Sequence, residues 1–502
     1  MWTPSGDMQK LAIKLLAFLS VGLTTLFVVE TAWELHATGV DLDLLRADAA
    51  TARGLASTIS RAFNNLLAMV LSFVAIAIPI TANMYTPKLV EIFFKDRINI
   101  ATLLYFATFG AHALFCQWVF VDAWVPTTHI VILGVSGITG FALVIPYYLY
   151  VLDFLNPSTI IRRVRGRVTD ELQGIPASGA MSPSRARVDD RIKQLGNVVL
   201  RAVERADRDV AIEAINALEK TLSDYAKVKP QLSDEWFEAH AHRFPGLSAE
   251  AISLLRDDRT WVEHKILSQL YLAFSSALAK MPDAISAISL VNERVGLHAS
   301  RADDDALLGL CIRYFNTFVR SAIAKRDVHA AFDVYYEYRM LAIDLLSVRP
   351  ERSLEIAKHL SCYAGMAKHT GLVFVNELAA ADIAALVQAA YERAVPEAAA
   401  ILAVLEELEE ASGGGARFVK ARSTLAAYFS IHGHERESSQ MVAGLATAAT
   451  DQIEAARFDI FRTVDPIFWE VTDRQTNLDH VPDALRNSVL SVLDAELARR
   501  GG

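Results

Sequence analysis

Apolar and polar positions divide the chain into two long regimes and a short join. Through residue 151 long apolar runs are broken by brief polar stretches. Four runs, roughly 11–33, 65–84, 100–121 and 128–151, are long enough to cross a bilayer, which takes about 20 mostly apolar residues. From 188 onward apolar residues recur at three and four among Ala, Leu, Glu and Arg, which predicts amphipathic helices. Gly and Pro fall at breaks such as Pro245, Pro282, Pro350, Pro396 and Gly413 to Gly415, and strand-like alternation is nearly absent. The join holds a basic segment, NPSTIIRRVRGRV, and then QGIPASGAMSPSRAR, whose Gly, Pro, Ser and Ala read as a linker over 173–187. The expectation is an all-α chain: a four-helix transmembrane domain over 1–157, a basic juxtamembrane segment and linker over 158–187, and a large cytoplasmic helical domain over 188–502.

A weak internal echo suggests how that last domain is built. ADRDVAIEAINALEKTL and AKRDVHAAFDVYYEYRM, with HGHERESSQMVAGLATA as a looser third copy, each put a short polar turn before an amphipathic helix. Arg208 and Arg326 lie 118 residues apart, outside the 20–50 of a solenoid period. Irregular helical hairpins of tetratricopeptide type and a plain helical bundle both fit. Asp303, Asp304 and Asp305 precede an apolar run and should cap a helix.

Charge orients the spans. Residues 1–151 carry eight Lys/Arg and nine Asp/Glu against 49 and 58 in the whole chain. Basic residues flank the first span (Lys10, Lys14), separate the second from the third (Lys88, Lys95, Arg97) and follow the fourth (Arg162, Arg163, Arg165, Arg167), while DAWVPTT between the third and fourth has none. The positive-inside rule then puts both termini in the cytoplasm of a multi-pass inner-membrane protein. Arg46, Arg53 and Arg61, between the first two spans, run against it. The first run exceeds a signal-peptide core and no small-x-small cleavage site follows, so it reads as a span.

The segment KLVEIFFKDR, after Pro79 and Pro87, reads as an elbow. Lys88, Glu91 and Lys95 share one helical face, with Leu89, Ile92 and Phe93 opposite. It either lies among the lipid headgroups or packs its apolar side on the protein. Lys88, Lys95, Arg97 and the four arginines after the fourth span are candidate membrane-surface contacts, gaining about 1 kcal/mol each near anionic lipid.

Here the sequence resembles a family of bacterial predicted membrane proteins with no assigned function. The similarity covers about 44–168 and rests on Ser57, Thr58 and Ser60 before the second span, on Thr86, Pro87, Lys88 and Leu89 at its exit, and on Asp96 and Arg97 before the third. The resemblance implies a membrane placement and a four-span fold, and brings no catalytic residues.

Polar groups within spans are costly, so they are candidates for function. On the third span Tyr105, Thr108, His112 and Cys116 form one stripe, either a path for ions or protons or a set of helix contacts. On the fourth, Gly134, Gly137 and Gly140 with Ser136 make a small surface suited to close helix packing. Cys116, Cys311 and Cys362 have no paired spacing, and His240/His242 and His432/His434 stand at i,i+2, off a common helix face; neither pattern predicts a metal site. No catalytic residue or cofactor is expected, and the net charge of −9 argues against nucleic acid. The partners expected are the bilayer with its anionic lipids, further copies of the chain and a cytoplasmic protein. The sequence thus reads as a membrane-anchored interaction or scaffold domain, with an oligomeric channel or transporter built on the third-span stripe as the alternative.

Overall fold

The computed structural model describes residues 47–84, 89–178, 181–469, 474 and 477–501. The expected first span, with Lys10 and Lys14, and the elbow residue Lys88 lie outside them. The chain forms two compact units, Met1–Gly166 and Arg167–Gly502. The described residues are helical with no strand, apart from an isolated bridge between Val121 and Trp124.

The first unit contains α1 (Ala49–Met84), α2 (Leu89–Phe94), α3 (Arg97–Val119) and α4 (Thr127–Leu155). The second, third and fourth expected spans fall in α1, α3 and α4. Both α3 and α4 pack on α1. Phe63 of α1 sits at the centre, 6.2 Å from the Tyr105 ring and 5.9 Å from Phe106, above a floor of Ala52, Ala56 and Ile59. Outward faces stay apolar: Ile76, Ile80, Leu114, Phe115, Phe141 and Ile145 are each more than half exposed. An apolar surface this wide is unfavourable in water and costs nothing in hydrocarbon, where the helices also satisfy their own backbone groups. One helix outside this unit, Val373–Glu392, is also apolar enough to span. There, 56% of the apolar window is buried, against 22–28% in α1, α3 and α4, so its hydrophobicity belongs to a protein core.

The elbow packs part of its apolar side on the protein. Phe93 is fully buried and meets Phe154 edge-on at 5.2 Å, whereas Phe94 is exposed. Asp96 stops the segment and caps α3, accepting from the amides of Ile98 at 3.0 Å and Asn99 at 3.4 Å.

Two helices carry the join: α5 (Pro157–Ser178), within which the division falls, and α6 (Met181–Glu204). The stretch 173–187, expected as a linker, is therefore mostly helix. Its Ala and Arg residues favour helix, and tertiary bonds hold it: Arg187 pairs with Glu171 at 2.6 Å, and Arg185 donates to the carbonyls of Glu235 and Glu238 at 2.6 and 3.1 Å.

Beyond lie α7 (Arg208–Val228), α8 (Ala249–Asp257), α9 (Trp261–Ala277), α10 (Pro282–Arg301), α11 (Asp305–Lys325), α12 (Val328–Leu345), α13 (Pro350–His369) and α14 (Val373–Glu392). They are followed by α15 (Ala398–Ser412), α16 (Ala416–Ile431), α17 (Glu435–Leu445), α18 (Thr450–Arg462) and α19 (Asp483–Gly501). Each of α9 to α14 packs on the next helix and on the one after. The turns share a backbone shape: a left-handed residue ends one helix and a capping residue opens the next. Ala206 (φ 56°) precedes the cap Asp207, Asp303 (φ 58°) precedes Asp304, and Arg326 (φ 55°) precedes Asp327. Asp304 accepts from the Leu307 amide at 2.9 Å, as the aspartate triplet led one to expect. The echoed letters are out of step with this shape. Arg208 is the first helical residue after its cap, whereas Arg326 is the left-handed residue before its cap.

Candidate functional site

Most of the polar stripe on α3 is engaged within the first unit. Tyr105 donates its hydroxyl to the Ser136 carbonyl of α4 at 2.8 Å. Thr108 is exposed on the outer surface, so it does not join the others. His112 and Cys116, one turn apart, face the start of α4, where they meet His129. Cys116 Sγ lies 3.6 Å from His112 Nε2 and 4.0 Å from His129 Nδ1, and the two imidazoles stack with centroids 5.2 Å apart. Cys116 is buried and both histidines are half-buried. Among the described residues this trio, with donor atoms all within 4.8 Å of one another, can hold a metal ion. Sequence reading missed His129, because it stood at the head of an apolar run. The short connection DAWVPTT was the available signal: a link of that length must bring the first turn of the fourth helix beside the last turns of the third.

Gly137 and Gly140 of α4 face α1 and not the α3 stripe. A Cβ on Gly140 would come 2.5 Å from Phe63 Cε1, and one on Gly137 would touch Ile59 at 3.6 Å. Gly134 has open space around it. Glycine at 140 is thus what lets Phe63 sit at the centre of the unit.

At the α2 end of the helices, Asp96 is the hub of a second cluster. Tyr150 donates to it at 2.7 Å and Arg163 pairs with it at 3.5 Å, the guanidinium lying 4.4 Å over the Phe154 ring. Arg163, the charged partner of Asp96, is 67 residues away. Arg97 and Arg162 are exposed, as is Lys95, while Arg165 and Arg167 are half-buried.

The helical unit pairs many of its charges. A cleft of about 460 Å³ is lined by Asp258, Arg313, Arg352, Glu355 and His359 among others. Arg352 is held by Asp305 at 2.5 Å and Glu355 at 2.6 Å, and His359 meets the Tyr338 hydroxyl at 3.0 Å. Deeper, Arg474 forms a two-pronged pair with Asp382 at 2.7 and 2.8 Å. His240 and His242 stack at 5.8 Å, and His434 stands just before α17, with no third donor grouped with either pair among the described residues. One surface stands apart. Phe458, Phe461, Val464, Ile467 and Trp469 lie within twelve residues, each between 59% and 77% exposed.

Three long apolar helices with lipid-suited faces, joined in one chain to a stack of further helices, define an integral membrane protein. Residues 10–199 match a family described as "Predicted membrane protein (DUF2254)". The resemblance read over 44–168 therefore holds and extends in both directions, through the membrane unit and into α6. No curated protein and no solved structure matches the chain.

Proposed function

We propose that the membrane helices anchor residues 188–502 at the cytoplasmic face of the inner membrane, where that domain serves as an interaction scaffold of irregular helical hairpins. The observation that carries this reading is the patch of Phe458, Phe461, Val464, Ile467 and Trp469. Exposed apolar residues scattered singly are ordinary, but five large ones within twelve residues make a candidate contact surface. Its first partner is another copy of the chain, because anchoring confines copies to one membrane plane and raises their effective concentration. The reading assigns no catalytic residue and no cofactor. A conduit is less well supported, since Tyr105, His112 and Cys116 are engaged with groups of their own chain and Thr108 faces outward. Arg162, exposed after the fourth span, is the clearest candidate for contact with anionic lipid.

Two measurements test the reading. In a chain with Cys116, Cys311 and Cys362 replaced, Ala123→Cys should react with an impermeant thiol reagent in intact cells and Lys95→Cys should not; the reverse would put the helical domain outside. Phe461→Glu combined with Trp469→Glu should reduce the mass of the detergent-solubilised protein to that of one chain while helicity stays unchanged. An unchanged mass would remove the patch as the self-association surface.

A further inference from the structure

We propose that His112, Cys116 and His129 form a binding site for a monovalent copper ion. The residues come from two helices and have no other shared task. His112 and Cys116 stand at i and i+4 on α3, so their side chains share a face, and His129 lies in the first turn of α4. The join is fixed by the bridge between Val121 and Trp124, and by the Arg53 guanidinium of α1 donating to the Phe120 carbonyl.

Donor spacing fits a metal centre. An ion about 2.3 Å from a sulfur and about 2.0 Å from each of two nitrogens, all in one plane, sets its donors roughly 3.5–3.8 Å apart. The sulfur-to-nitrogen separations here are 3.6 and 4.0 Å, and the whole trio falls within 4.8 Å. A modest turn of one imidazole closes the remainder. Hydrogen bonding alone explains the arrangement poorly, since a thiol is only a weak donor and acceptor for the two imidazoles that meet it.

Ligand type and charge select the ion. Thiolate with imidazole suits copper and zinc and is poorly suited to magnesium or calcium. Binding requires Cys116 to lose its proton to solvent, forming one sulfur–metal bond, while both histidines bind through neutral nitrogens. Cuprous ion with one thiolate and two imidazoles is then neutral and satisfied by three donors. Zinc with the same set would leave a net positive charge beside an apolar span and call for a fourth ligand, where the described residues group three. Access is provided for. Trp118 and Trp124, 84% and 49% exposed, place this end of α3 and α4 at a membrane–water boundary, where tryptophan concentrates.

The test is anaerobic titration of the purified full-length protein in detergent with cuprous ion, in competition with bicinchoninate. Cys362→Ser is the background, which removes the exposed thiol. One ion per chain is expected, with an X-ray absorption shell of two nitrogens and one sulfur. Cys116→Ser and, separately, the milder His129→Gln should each weaken binding at least 100-fold with an unchanged elution volume and helical content. Retention of affinity in both variants would overturn the site. Zinc bound at one per chain with cuprous ion excluded would overturn the choice of ion.

Discussion

Asp382→Ala should expose the amides of α12 and α14 to hydrogen exchange roughly 10²- to 10⁴-fold faster, the largest effect of any single truncation in the helical unit. Asp382 on α14 is fully buried, and Arg474 reaches it with both terminal nitrogens from a side chain only 1% exposed. Arg474 also donates to the Phe332 carbonyl at 3.1 Å and lies 4.3 Å over its ring, while Arg339 stands 3.5 Å from the same carboxylate. Removing the carboxylate strands the buried Arg474 guanidinium away from water and takes a counter-charge from the half-buried Arg339. Breaking a buried pair on one side costs about 3–5 kcal/mol, because the remaining charge stays desolvated. The pair of Arg208 and Asp283, 62% and 51% exposed, is a control worth about 0–1 kcal/mol when cut. Replacing both partners, with Asp382→Leu and Arg474→Met, should cost less than the two single changes summed. Exchange in Asp382→Ala no faster than in the Asp283→Ala control would show that the pair does not hold α14 in place.

Acidification supplies the second large effect, centred on His264 of α9. Its Nδ1 faces the Tyr314 hydroxyl at 3.1 Å, and Tyr314 also donates to the His264 carbonyl at 3.2 Å. Burial, with the charges of Lys265 and Arg313 nearby, pushes its pKa down from 6.5 to about 4. The folded chain therefore refuses a proton that the unfolded chain accepts. The stabilisation is complete above pH 6.5 and is lost as pH falls from 6.5 towards 4. At about 1.36 kcal/mol per unit, the full window is worth up to about 3 kcal/mol. Hydrogen exchange at α9 and α11, followed from pH 7 to pH 4, should show the loss. His264→Gln should flatten it relative to the parent at each pH. Equal pH dependence in the two proteins would assign the acid sensitivity to other groups.

What the sequence made legible follows from the range over which each signal acts. Spans two to four were readable because twenty consecutive apolar residues form a local pattern, and so was the cap at Asp304, set by its own helix. Partners far apart in sequence were not. The 67 residues between Asp96 and Arg163, and the 92 between Asp382 and Arg474, carry no periodicity that would pair them. His129 was hidden for a related reason, as one polar residue at the head of an apolar run looks like an interfacial end until α3 is laid beside it. The stretch 173–187 misled in the other direction. Its Gly, Pro and Ser content suggests a flexible join, and tertiary bonds from Arg185 and Arg187 override that composition. The turns misled through their letters. Ala206, Asp303, Arg326 and Gly371 all adopt the left-handed conformation, so the backbone repeats where the residues do not.

Local packing from α9 to α14 also has a mechanical meaning. A globular core joins its first and last elements and yields to tension in a single rupture. From α9 to α14 each helix leans on those one and two places along the chain, so once the tie of Arg474 to α12 and α14 is broken, a pull from the C-terminal end meets a series of small resistances. Load applied there while the other end is held in the bilayer would peel helices away one after another. The length released would then report the force applied.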